Sequence, residues 1–99
     1  MKIHSLLLIT PTLNSYEVSL TLHPTKEQVE LALIDLVAKS IKDLRRSSST
    51  SIKVRIRLSE IQSRLQTLPH AEKFESSMRF INSSPLNVHI SEHDVNTEQ

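Results

Sequence analysis

Ile52-Lys53-Val54-Arg55-Ile56-Arg57-Leu58 is the stretch on whose reading the fold turns, because apolar and cationic residues alternate along it without a break. A period of two marks a strand with one buried face. Read that way, Ile52, Val54, Ile56 and Leu58 go to the core, and Lys53, Arg55 and Arg57 stand on the other side. The sequence thus predicts a strand carrying a row of cations ~6.5 to 7 Å apart on one sheet face.

The residues just before this stretch share its charge. Residues 39–57 hold Lys39, Lys42, Arg45, Arg46, Lys53, Arg55 and Arg57 against one anion, Asp43. Their local net charge is +6 in a chain whose total is +1, so the remainder is near −5. Lys42, Arg45 and Arg46 have an ordinary explanation. Thr25, with Gln28 three residues on, opens a helix expected to reach about Arg46. Cations in its last turn suit the negative end of the helix dipole. Val29, Leu33, Leu36, Val37, Ile41 and Leu44 fall within an arc of ~160° on that helix, a stripe for packing on a sheet. Leu31 and Ala38 lie on its back.

The other elements follow from the same two periodicities. Leu6-Leu7-Leu8-Ile9 is an unbroken apolar run, expected in a strand covered on both faces or near the centre of a sheet. After a turn at residues 11–14, Tyr16, Val18, Leu20 and Leu22 alternate with Glu17, Ser19, Thr21 and His23, predicting a hairpin partner whose apolar set is buried. Ser59 with Gln62 repeats the capping signal for a short helix bearing Ile61, Leu65 and Leu68. Pro69 interrupts it, and a further helix is expected over about 70–82, with Ala71, Phe74, Met78 and Ile81 on one side. Leu86, Val88 and Ile90 alternate in a last strand. The expected architecture is a single α+β domain over residues 1–90, of order β-β-α-β-α-α-β. It has one four-stranded mixed sheet with helices on one face, followed by a mobile polar tail at 91–99.

Composition narrows the chemistry. The 99 residues contain no glycine and no cysteine, and their aromatics are Tyr16, Phe74 and Phe80. Phosphate-cradling loops, dinucleotide fingerprints and nucleophile elbows need glycine, because only a residue without Cβ lets the backbone turn so sharply or approach a ligand so closely. Lack of cysteine removes disulfides and thiolate chemistry and suits a cytoplasmic or other reducing compartment. His4, His23, His70, His89 and His93 show no paired metal-ligand spacing, and no serine or carboxylate pair stands in a catalytic motif. No cofactor, metal or catalytic residue is expected, nor a membrane-spanning segment. Two modification patterns stand apart: Arg45-Arg46-Ser47-Ser48, where phosphate would enter the cationic cluster, and Asn82-Ser83-Ser84, an N-glycosylation pattern expected to be idle because the apolar run at 6–9 is shorter than a signal peptide needs.

The functional expectation is a small non-catalytic regulator, inhibitor or adaptor. It would bind an acidic protein surface through Lys53, Arg55 and Arg57 of the basic strand, extended by Arg45 and Arg46. Nucleic acid is the alternative partner for the same cations, although no aromatic platform interleaves with them. A second alternative is a homo-oligomeric structural subunit, a homodimer associating through Leu31, Ala38 and Phe80.

Overall fold

The computed structural model of the protein describes residues 1–95. Strands β1 (Lys2–Pro11) and β2 (Tyr16–His23) form a hairpin. Helices α1 (Lys26–Arg46), α2 (Ile52–Thr67) and α3 (His70–Asn82) follow in succession, and strand β3 (Asn87–Asp94) closes the fold. The sheet has three strands in the order β2-β1-β3, with both pairings antiparallel. β3 continues through Asp94 into the stretch expected to be a tail, and the end of that stretch, 96–99, lies outside the described residues.

The expected four-stranded mixed sheet is overturned at the deciding stretch. Residues 52–58 are the first two turns of α2. Ser51, not Ser59, is the N-cap: its Oγ accepts from the Val54 amide at 3.3 Å, and its carbonyl accepts the Arg55 amide at 2.9 Å. Ser59 lies inside the helix. Tertiary burial explains the outcome, because Val54, Leu58, Ile61, Leu65 and Leu68 recur at helical spacing along one stripe. Leu58 and Leu65 are buried and Ile61 packs against the core. With the basic strand gone, the chain crosses from β2 to β3, on the opposite edge of β1, through all three helices.

The other helices match their expected spans, although Leu44 at the end of the α1 stripe and Ala71 at the start of α3 are exposed. Thr25 Oγ1 accepts from the Gln28 amide at 3.1 Å, and α1 ends at Arg46. Val29, Leu33, Val37 and Ile41 are buried along it, joined by Ile34. Burial of each such side chain contributes roughly 1.5 to 3 kcal/mol relative to leaving it in water. Pro69 separates α2 from α3, its φ of −59° suiting a helix start where no amide donor is needed. At the far end of α3, serines do what a terminal glycine often does. Ser83 and Ser84 hydroxyls bond the carbonyls of Phe80 and Ile81 at 2.9 and 2.8 Å. No described residue has positive φ, so the turns are built without the left-handed conformations that glycine eases.

Register decides which sheet face the helices cover. Directly opposed residues of an antiparallel pair point to the same side. Leu6 stands opposite Ile90 and Thr21, and Leu8 opposite Val88 and Ser19. Leu6 is buried in the core with Val88 and Ile90 packed beside it, so this is the helix side. Ile3, Leu7 and Ile9 therefore point away from the helices, with Leu20 opposite Leu7 and Val18 opposite Ile9. The apolar set of β2, expected inside, is outside: Tyr16, Val18, Leu20 and Leu22 are 61 to 67% exposed.

Candidate interaction surface at the basic end of the helices

The connection between α1 and α2 is ordered by its own hydroxyl groups. Ser47 closes α1, its amide donating to the Leu44 carbonyl at 3.2 Å, and Thr50 Oγ1 donates to the same carbonyl at 2.8 Å. The Ser47 and Ser49 hydroxyls bond each other at 2.8 Å. Backbone groups that a glycine-rich turn would leave to water are thus satisfied locally, and the turn holds the end of α1 beside the start of α2.

The expected cations divide here into groups with different tasks. Arg55 donates from Nη2 to the Ser47 carbonyl at 2.6 Å, and its Nε is buried without a partner. It fastens α2 to the turn. Arg45 donates from Nη1 to Gln62 Oε1, joining the last turn of α1 to the middle of α2. Lys42, Arg45, Arg46 and Gln62 line a shallow depression of about 320 Å³.

Lys53 and Arg57 are four residues apart and share one side of α2, both exposed. Arg55, two residues from each, stands roughly 200° of helical turn away. The single row of three cations expected on a sheet face therefore does not exist. Arg57 instead joins Glu60, Arg64, Arg79 and Phe80 around a cavity of about 290 Å³ between α2 and α3. There Arg79 is already paired with Glu75 at 2.5 Å.

Electrostatics set this end apart from the rest of the molecule. Among the described residues the Lys and Arg ion pairs are Lys2 with Glu92 and Arg79 with Glu75, and His70 lies within 3.1 Å of Glu30. None involves residues 39–57. Lys42, Arg45 and Arg46 at the end of α1 face a favourable dipole, but the first turn of α2 has no acidic residue and carries Lys53. A cation there faces the positive end of its own helix, a disadvantage of about 0.3 to 1 kcal/mol at an exposed site. Arg57, one turn later, is less affected.

The residues expected to mediate self-association are distributed differently. Leu31 is 44% exposed, Ala38 is half-buried, and Phe80 packs against the core from α3. Among the described residues no three His, Asp or Glu side chains gather as a metal-binding group. Three histidines have local partners: His70 bonds Glu30 at 3.1 Å, His93 bonds Ser5 at 3.0 Å, and His23 bonds Thr21 at 2.9 Å. Among the described residues, no helix is long and apolar enough to cross a membrane.

Sequence reasoning placed the cations at one end but missed how the helix separates them. The signal was present: the stripe of Ile61, Leu65 and Leu68 extends backwards through Leu58 to Val54. It also missed the open sheet face, because alternation identifies which residues share a side without saying which side the helices cover. Neither a protein-family model nor a characterised protein nor a solved structure matches the chain.

Proposed function

We propose that the protein is a small non-catalytic binding module that engages an acidic macromolecular surface, an acidic protein first of all, through the basic end of its helical layer. Lys53 and Arg57 of α2 and Arg46 of α1 are the principal contacts. Arg45 and Arg55 are committed to Gln62 and Ser47 and act mainly by holding the two helices in place. The observation that carries this reading is the placement of Lys53 and Arg57 in the first turns of α2 without an acidic neighbour in an ion pair. Local stability would favour acidic residues there, and departures from local rules concentrate at functional positions. An incoming carboxylate would meet both the cations and the positive end of the helix dipole. Absence of cysteine fits a reducing intracellular setting for such an encounter.

Phosphate groups of nucleic acid would satisfy the same charges. Protein is preferred because Phe80, the aromatic that shares a cavity with Arg57, packs against the core, and Tyr16 and Phe74 also lie outside residues 39–57, so no free row of rings accompanies these cations for bases to stack on. Affinity capture from the native host, with wild type and Lys53→Glu/Arg57→Glu compared, tests the proposal. The double variant should lose the captured partner, and the wild-type complex should survive nuclease. Equal capture by both proteins would sink the reading, whereas loss on nuclease treatment would transfer it to nucleic acid. A salt titration gives a second measure, since phosphate contacts lose affinity with a logarithmic slope of about −0.7 to −0.9 per contact.

A further inference from the structure

The outer face of the sheet calls for an explanation that the basic end does not supply. Leu7 and Ile9 of β1 stand opposite Leu20 and Val18 of β2, Leu22 faces Ser5, Tyr16 faces Pro11 at the hairpin end, and Ile3 lies on the same side near the start of β1. β3 adds Asn87, His89, Ser91 and His93 to the same side. Every Lys, Arg, Asp and Glu of the three strands is on the other face: Lys2, Glu17, Glu92 and Asp94. A large uncharged apolar face is unusual on an isolated soluble domain.

From this we infer that the outer sheet face is the interface of a symmetric homodimer, in which two copies pack sheet against sheet. Three observations favour a second copy as the occupant. First, β1 is the central strand and is apolar on both sides through residues 6–9, the pattern of a strand buried on both faces, yet one copy covers only one of them. Second, the accessible surface is 7284 Å², against about 5,700 Å² for a compact monomer of this mass. The excess, roughly 1,500 Å² over the whole molecule, exceeds the ~800 Å² that each partner contributes to a standard interface, and Tyr16, Val18, Leu20 and Leu22 on this face are part of it. The radius of gyration, 15.4 Å, likewise exceeds the ~12.6 Å of a compact chain of this length. Third, a two-fold axis brings each patch against its own image, so any charged residue risks meeting its like. This face has none of fixed sign, and the polar residues of β3 border its apolar part as a rim would.

Stacked about 10 Å apart, the two sheets make a four-layer assembly with helices outside and the apolar residues of β1 and β2 between. The basic ends of α1 and α2 belong to the outer layers and stay accessible. Membrane attachment is the weaker reading of an apolar surface here. Such surfaces are usually bordered by lysine and arginine, and this one is bordered by Asn87, His89, Ser91 and His93.

Sedimentation equilibrium of the wild-type protein and of two variants tests the inference. Leu20→Glu puts a carboxylate at the middle of β2, and Leu7→Glu puts one on the central strand, away from the sheet edge. Wild type should show twice the 11.3 kDa chain mass. Each variant should lower the association constant at least ~100-fold, as expected of an unpaired charge forced into a dry interface. Circular dichroism confirms that the variants are folded. Leu20 is already 61% exposed in the single copy, so Leu20→Glu should remain folded even if Leu7→Glu does not. Tyr16, the chain's single tyrosine with no tryptophan present, supplies an independent readout. Its fluorescence should become more accessible to acrylamide on dilution of wild type but not of a variant. A wild type that stays monomeric at its highest soluble concentration overturns the inference. So does a folded Leu20→Glu protein that associates as strongly as wild type, and so does dimerisation that Leu20→Glu abolishes but a folded Leu7→Glu leaves intact, which would indicate pairing of β2 edges.

Discussion

The outer face of the sheet and the α1–α2 end of the helical layer are both exposed, yet they are opposite in chemistry. One has no charged residue across three strands, and the other gathers seven cations around one turn. Water is a poor solvent for the first and a good one for the second, although like charges crowded together repel. The difference separates two kinds of contact. An apolar face is best covered permanently and is insensitive to salt, whereas a cationic end suits a partner that comes and goes and weakens as salt rises.

The widest test of this contrast is to remove matched side chains from the packed and the open sides. Leu33→Ala, on the core side of α1, should cost about 2 to 5 kcal/mol in denaturant unfolding, as deletion of a buried leucine does. Leu22→Ala, at 61% exposure on the open face, should cost less than about 1 kcal/mol when the protein is dilute enough to be monomeric. Comparable losses would mean that the two faces are equally packed.

Next in size is the cap that commits residues 52–58 to helix. Ser51→Ala removes the acceptor for the Val54 amide and should destabilise the protein by roughly 1 kcal/mol. Amide exchange in the first turn of α2 should accelerate while that of α1 is unchanged. If α2 kept its full protection, the cap would have no part in deciding the fold at that point.

Charge reversal at the basic end should act in the opposite direction. Lys53→Glu/Arg57→Glu places anions near the positive end of the α2 dipole and should raise stability by about 0.3 to 1 kcal/mol even as it removes partner binding. A fall in stability would show that these cations are placed to support the fold rather than to meet a partner. Smallest of all is the effect of the exposed Lys2–Glu92 pair, whose groups meet at 2.9 Å across β1 and β3. The hydrogen bond and charge of Lys2 hold the Glu92 carboxyl below its ordinary 4.5, and Glu92 raises Lys2 above 10.5. The lowered carboxyl contributes stability that is present above pH 4.5 and is lost as pH falls through its folded value. Lys2→Met should therefore leave the melting temperature near neutral pH within measurement error and slightly flatten its decline in acid. A large change near neutral pH would contradict the exposed setting of the pair.

Much of the helical layer was legible in the sequence. α1 and α3 announce themselves through Thr25, Pro69 and apolar residues at helical spacing, signals that packing on a sheet reinforces. The stretch 52–58 misled because it satisfies two periods at once. Val54 and Leu58 belong equally to an alternating strand and to the helical stripe that continues through Ile61 and Leu65. The burial of Leu58 and Leu65, with Ile61 packed beside them, decides for helix, while Val54 stays 47% exposed. The position of β1 was also legible, since its four consecutive apolar residues require neighbours on both sides. What could not be read was the sidedness of β2. Tyr16, Val18, Leu20 and Leu22 share a face in any strand, and whether helices or solvent meets that face depends on how the hairpin turns beneath α1. The basic end was correctly gathered in sequence but not in space, because a helix turns Arg55 away from Lys53 and Arg57.

The pairing of β1 with β3 also has a consequence in time. Lys2 stands opposite Asp94, and the Val95 amide donates to the Met1 carbonyl at 2.7 Å, so the central strand waits for a partner separated from it by β2 and all three helices. During synthesis the hairpin and the helical layer are made first, with one edge of β1 open until β3 arrives. Closing so long a loop makes sheet completion the slow event, on a scale of milliseconds or longer rather than the microseconds of the helices alone. In that interval the nascent chain exposes both an unpaired strand edge and the apolar face beside it, which makes this the stage at which a chaperone would matter most.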